Sequence, residues 1–145
     1  MEHSIYAERI RKVFGEWIEA KQATRLFERF PPELQRQLRV HAGLVFEEQP
    51  LVACYLNQST WAVLTTQRFI WRLADHQTTL TWEELADVQM LQRPPRSRQG
   101  QGAVATSSLQ VVARSGQAYL VELEAGQPFF GFWTALKMIS RAYRA

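Results

Sequence analysis

The sequence predicts an α+β chain: helices up to about Gly43, then seven short antiparallel strands, then one closing helix. Three observations lead there. Apolar residues before Gly43 recur at three- and four-residue steps. After Gln49-Pro50 the pattern changes to short apolar and aromatic runs separated by turn formers. From Pro128 onward the helical spacing returns.

The first element runs from Ser4 to Ala20, where Ile5, Ile10, Val13, Phe14, Trp17 and Ile18 form an apolar stripe between Glu8, Lys12, Glu16 and Glu19. A second short helix is expected from Thr24 to Phe30, because Leu26, Phe27 and Phe30 fall together before the Pro31-Pro32 break. Pro32 then suits the first turn of a third helix, with Leu34 and Leu38 one turn apart and Gly43 as its left-handed stop.

Strands are expected at Leu51–Leu56, Trp61–Thr65, Phe69–Leu73 and Gln77–Thr81, joined by connections short enough for antiparallel hairpins. Trp82-Glu83-Glu84-Leu85 reads as a one-turn helical or bulged interruption, after which Val88, Met90 and Gln92 resume as a fifth strand. Arg93 to Thr106, rich in Pro, Gly, Arg and polar residues, reads as a long exposed loop. Leu109–Arg114 and Tyr119–Leu123 flank the turn dipeptide Ser115-Gly116 and supply strands six and seven. In the last helix Phe129, Phe130, Phe132, Trp133, Leu136, Ile139 and Tyr143 oppose Thr134, Lys137, Ser140 and Arg141.

Composition narrows the function. With 145 residues, 46% of them hydrophobic and 21% charged, the chain has enough apolar material for a packed core. The first twelve residues contain Glu2, Glu8, Arg9, Arg11 and Lys12 and no apolar run of signal-peptide type, so a cytoplasmic location is expected. No window approaches the roughly 20 apolar residues that a membrane-spanning helix needs. Cys54 is alone in an apolar run and reads as a core thiol. The net charge of +3 rests on fourteen Arg and three Lys without a dense basic face, so nucleic acid is not an expected partner.

Two stretches resemble a known family. Glu47-Glu48-Gln49-Pro50-Leu51-Val52, followed by Trp61-Ala62-Val63-Leu64-Thr65-Thr66-Gln67-Arg68-Phe69, resembles the opening of bacterial PH-like and GRAM-like domains. In those domains an acidic turn precedes a strand, and a hairpin reads approximately V-L-T-x-x-R-L. Leu80-Thr81-Trp82-Glu83-Glu84-Leu85-Ala86-Asp87-Val88 is similar to the family's later pattern of strand, acidic turn and strand. The resemblance covers residues 44–145 and implies a seven-stranded PH-like barrel capped by the C-terminal helix, with residues 1–43 as a helical N-terminal extension. It also implies a non-catalytic module, although lipid headgroups, peptides and self-assembly are all served by that fold. Phosphoinositide binding would place cations around the first hairpin loop, and Asn57-Gln58-Ser59-Thr60 carries none.

The residues themselves show no reaction centre. His3, His41 and His76 are scattered, no serine sits in a nucleophile elbow, and no Gly-rich phosphate loop precedes a Lys. The carboxylate pairs Glu47-Glu48 and Glu83-Glu84 lack a neighbouring metal-ligand or proton-transfer partner. Neither an enzymatic activity, a cofactor nor a metal is therefore expected. Thr65 and Thr66 are positioned to bond the hairpin turn, and Arg68 to hold turn carbonyls or a carboxylate. The leading expectation is a protein-binding or self-assembling module that uses an exposed sheet edge or the helical extension, where Phe14, Trp17 and Ile18 of the first helix need cover from the same chain or another. Two alternatives stand beside it: peripheral binding to anionic lipid through Arg93, Arg96 and Arg98, and a small immunity or regulatory protein that blocks an effector.

Overall fold

A computed structural model describes residues 3–15, 23–91 and 105–143. Their order is α1 (His3–Gly15), β1 (Thr24–Leu26), a 3₁₀ turn (Phe27–Arg29), α2 (Pro32–Ala42), then β2 (Pro50–Asn57), β3 (Thr60–Thr65), β4 (Arg68–Leu73) and β5 (His76–Thr81). A second 3₁₀ turn (Trp82–Glu84) leads to β6 (Leu85–Met90), β7 (Thr106–Ala113), β8 (Ala118–Glu124) and α3 (Gln127–Ala142). The chain is thus α+β, with antiparallel sheets and a C-terminal helix. Among the described residues no helix is long and apolar enough to cross a membrane.

The strands form two sheets, β1-β2-β3-β4-β5 and β6-β7-β8, where the sequence suggested one closed seven-stranded barrel. The division falls at Trp82–Glu84, where a capping box turns the chain. The Thr81 hydroxyl accepts from the Glu84 N–H and the Glu84 carboxylate accepts from the Thr81 N–H. β6 therefore leaves the sheet that β5 ends.

The helix expected over Thr24–Phe30 is instead a strand and a single 3₁₀ turn. Thr24 and Leu26 are buried on either side of half-buried Arg25, a period of two, and they pair with Cys54 and Val52 along β2. Residues before Gly43 consequently contribute an edge strand to the five-stranded sheet.

Strands β2, β3 and β4 of that sheet are buried on both faces, whereas β5 is largely exposed. Val52, Cys54, Ala62, Leu64, Phe69 and Trp71 point into the main core, where they meet Val111, Val121, Leu123, Phe132 and Leu136. Alternate residues Ala53, Val63 and Ile70, with Trp61, point the other way and are covered by Phe27, Phe30, Leu38 and Ala42. This two-sided burial explains why Leu51–Cys54, Trp61–Leu64 and Phe69–Trp71 are continuous apolar runs. α3 packs on β6, β8 and α1, while β8 lies against β2, β3 and β4, so the second sheet and α3 complete the main core.

Candidate docking surface

The surface begins at the end of α2. Leu38 and Ala42 face the sheet, and the helix stops at Gly43, whose φ of 66° and ψ of 43° are left-handed. The Gly43 N–H donates to Val40 O and the Leu44 N–H to Arg39 O, both at 3.1 Å, a Schellman arrangement. Half-buried Leu44 then drops against the second core.

The next residues turn outward. Val45 is 54% exposed and Phe46 102%, while Val40 in the last turn of α2 is 73% exposed. Among the described residues there are four large exposed hydrophobic side chains, and these three fall within seven positions of one another; the fourth is Phe130. An isolated exposed apolar residue needs no explanation, whereas three within one short stretch do. A separate hollow of about 500 Å³, lined by Gln37, His41, Tyr55, Trp61 and Arg72, opens between α2 and the β2–β3 turn and includes none of the three.

The loop that carries Phe46 is pinned from beneath. The Glu48 side chain has no solvent exposure, and its Oε2 accepts from Arg68 Nε at 2.7 Å and from the Thr65 hydroxyl at 2.5 Å. Its Oε1 accepts from Arg68 Nη2 at 2.9 Å and from the Val45 N–H at 3.3 Å. Arg68 Nη2 also donates to Gly43 O at 2.7 Å, which ties the helix end to the same guanidinium. Gln49 and Thr66 exchange two further bonds, N–H to hydroxyl at 3.1 Å and N–H to carbonyl at 2.9 Å. Burial pushes the Glu48 carboxyl up. The bonds from Arg68, Thr65 and Val45, with the charge of Arg68, outweigh that and hold it below the usual glutamate range. A charged carboxylate in a fully bonded pocket thus fixes both ends of a short apolar loop.

The two stretches that carry the family resemblance therefore touch: the acid of Glu47-Glu48-Gln49-Pro50 is the residue that Thr65 and Arg68 hold. Arg68 binds a carboxylate, as its place after the hairpin suggested, while the carbonyl it holds is that of Gly43 at the end of α2 and not one of the hairpin turn. Phe14, in contrast, finds its cover inside the chain. It is 2% exposed and meets Phe132 of α3 edge-on, ring centroids 5.1 Å apart, so it offers no surface to a partner. Trp17, Ile18, Arg93, Arg96 and Arg98 lie outside the described residues.

Val40, Val45 and Phe46 were not singled out by sequence reasoning, yet a signal existed. Val45-Phe46 sits between a glycine helix stop and an acidic, proline-terminated turn, outside any helical or alternating pattern that would bury it. Among the described residues no group of three or more His, Cys, Asp or Glu side chains is placed to hold a metal ion. Comparison with protein-family models, curated proteins and solved structures gave no match.

Proposed function

We propose that the chain is a non-catalytic PH-like module that binds protein, docking through Val40, Val45 and Phe46 at the end of α2. The single observation that carries this reading is a wholly exposed Phe46 on a loop held by the buried Glu48–Arg68 pair. The PH-like part of the reading is supported by the strand order, the acidic turn at Trp82–Glu84 and the helix α3 that follows the last strand.

The energetics suit docking. Burying one large apolar side chain contributes roughly 1.5–3 kcal/mol, so three of them supply an anchor of useful size. The hydrogen bonds beneath the loop reduce what ordering would otherwise cost on association. A partner that offers an apolar recess meets a surface already in its bound shape.

The test is a photo-crosslinking amino acid placed at position 46 of the full chain in its native cells, with position 117 in the exposed β7–β8 turn as the control. The reading expects discrete protein adducts from position 46 and not from 117; an adduct of twice the chain mass would identify self-assembly. Adducts of equal yield at both positions, or none from position 46, would overturn it.

A further inference from the structure

A second surface lies between α1 and α3. There a hollow of about 430 Å³ is lined by Tyr6, Trp133, Thr134, Lys137, Met138 and Arg141. The α3 residues fall at steps of three and four, so they form one stripe along the helix. From 133 to 141 that stripe is roughly 12 Å long, the span of about four residues of extended chain.

Its floor is apolar and its rim is cationic. Tyr6, Trp133 and Met138 are half-buried and line the groove. Arg141 is exposed and makes no hydrogen bond or ion pair with another described residue. Arg9, also exposed, lies over the Tyr6 ring at 5.9 Å. Lys137 sits 5.8 Å from the Trp133 ring centre, and its ammonium donates to Asp87 at 2.5 Å, so that pair is mutually neutralised. Glu8 is two residues from Tyr6, about 200° around α1, and therefore on the helix's other side. Two guanidinium groups, neither bound to a carboxylate of the described residues and one of them stacked on Tyr6, thus flank an apolar strip.

The groove is shallow, since Thr134 and Arg141 are exposed along its length. Small-molecule sites enclose most of their ligand, whereas an open strip of this length matches a short piece of polypeptide. We infer that the α1–α3 groove receives an acidic peptide segment of a partner protein, an apolar side chain lying on Tyr6, Trp133 and Met138 and carboxylates facing Arg9 and Arg141. This rests on the reading of the chain as a protein-binding module, but it uses a surface separate from Val40–Phe46.

The test is an NMR titration of the ¹⁵N-labelled full chain with acetylated, amidated Glu-Leu-Asp-Phe-Glu and with its counterpart Lys-Leu-Lys-Phe-Lys. The acidic peptide is expected to saturate with Kd below about 1 mM and to shift the Tyr6 amide and those from 133 to 142. Reversing both charges, Arg9→Glu with Arg141→Glu, is expected to weaken it about tenfold while the rest of the spectrum is retained. Raising salt from about 50 to about 300 mM is expected to weaken it several-fold. Phe46→Ser should leave this affinity unchanged, which separates a failure here from a failure of the Val40–Phe46 surface. No saturable shift, equal binding of the lysine peptide, shifts centred elsewhere, or full affinity in the charge-reversed variant would each overturn the inference.

Discussion

Replacing Arg68 with Met should destabilise the fold and reverse the sign of one pH dependence. The change removes three hydrogen bonds: two from the guanidinium to Glu48, at 2.7 and 2.9 Å, and one to Gly43 O at 2.7 Å. Removing one partner of a buried ion pair costs about 3–5 kcal/mol. Here the Glu48 side chain is 0% exposed but Arg68 is 22% exposed, and Thr65 and Val45 still donate, so the expected loss is about 2–3 kcal/mol. For a chain of this size that corresponds to a fall in melting temperature of roughly 5–10 °C.

The pH test follows from the direction of the Glu48 shift. In the native chain its carboxyl is held below the usual range, so it contributes stability above that range and loses it as pH falls through the lowered value. Without Arg68, burial dominates and the folded-state value rises above the usual one, so the variant gains stability as pH falls. Urea unfolding of both proteins between about pH 7 and pH 4 should therefore show the gap narrowing. A gap below about 1 kcal/mol at pH 7, or one that stays constant over this range, would refute the account of the clamp.

Three further outcomes are expected. Phe14→Ala should cost about 3–5 kcal/mol in urea unfolding, because it empties a core site against Phe132, and should leave the crosslink from position 46 intact. Burial pushes the Glu124 carboxyl up although it accepts the Thr24 N–H at 2.8 Å, so its contribution is full below the usual glutamate range and lost as pH rises through the raised value. Glu124→Gln keeps an acceptor for Thr24 and should remove that part of the pH slope, which unfolding midpoints at several pH values would show. The Cys54 thiol, fully buried with its pKa pushed up to about 11, should react with a disulfide reagent at pH 8 only in unfolded protein; rapid labelling of the native chain would contradict its placement.

Much of this fold was legible because the strongest sequence signals are local. Continuous apolar runs marked β2, β3 and β4, Gly43 marked the end of α2, and Pro128 marked the start of α3. β1 was misread because Leu26, Phe27 and Phe30 have helical spacing, while pairing with β2 is a tertiary fact that three residues cannot announce. One strand more and a break at Trp82–Glu84 then separate two sheets from the expected single barrel. The clamp was half legible: Arg68 called for an acceptor, but nothing local said that Glu48, twenty positions earlier, would be it. Phe14 and Phe46 show the harder limit. Both are phenylalanines that follow a valine, and only the packing of α1 on α3 and the outward turn after Gly43 make the first core and the second surface.

The central claim is that the end of α2 and the loop after it form a docking surface for protein. Its most direct test is amide hydrogen exchange of the full chain, alone and saturated with the protein captured by the crosslink at position 46. The account predicts slower exchange in the bound state across residues 40–47. Protection confined to other segments, with 40–47 exchanging as in the free chain, would contradict it.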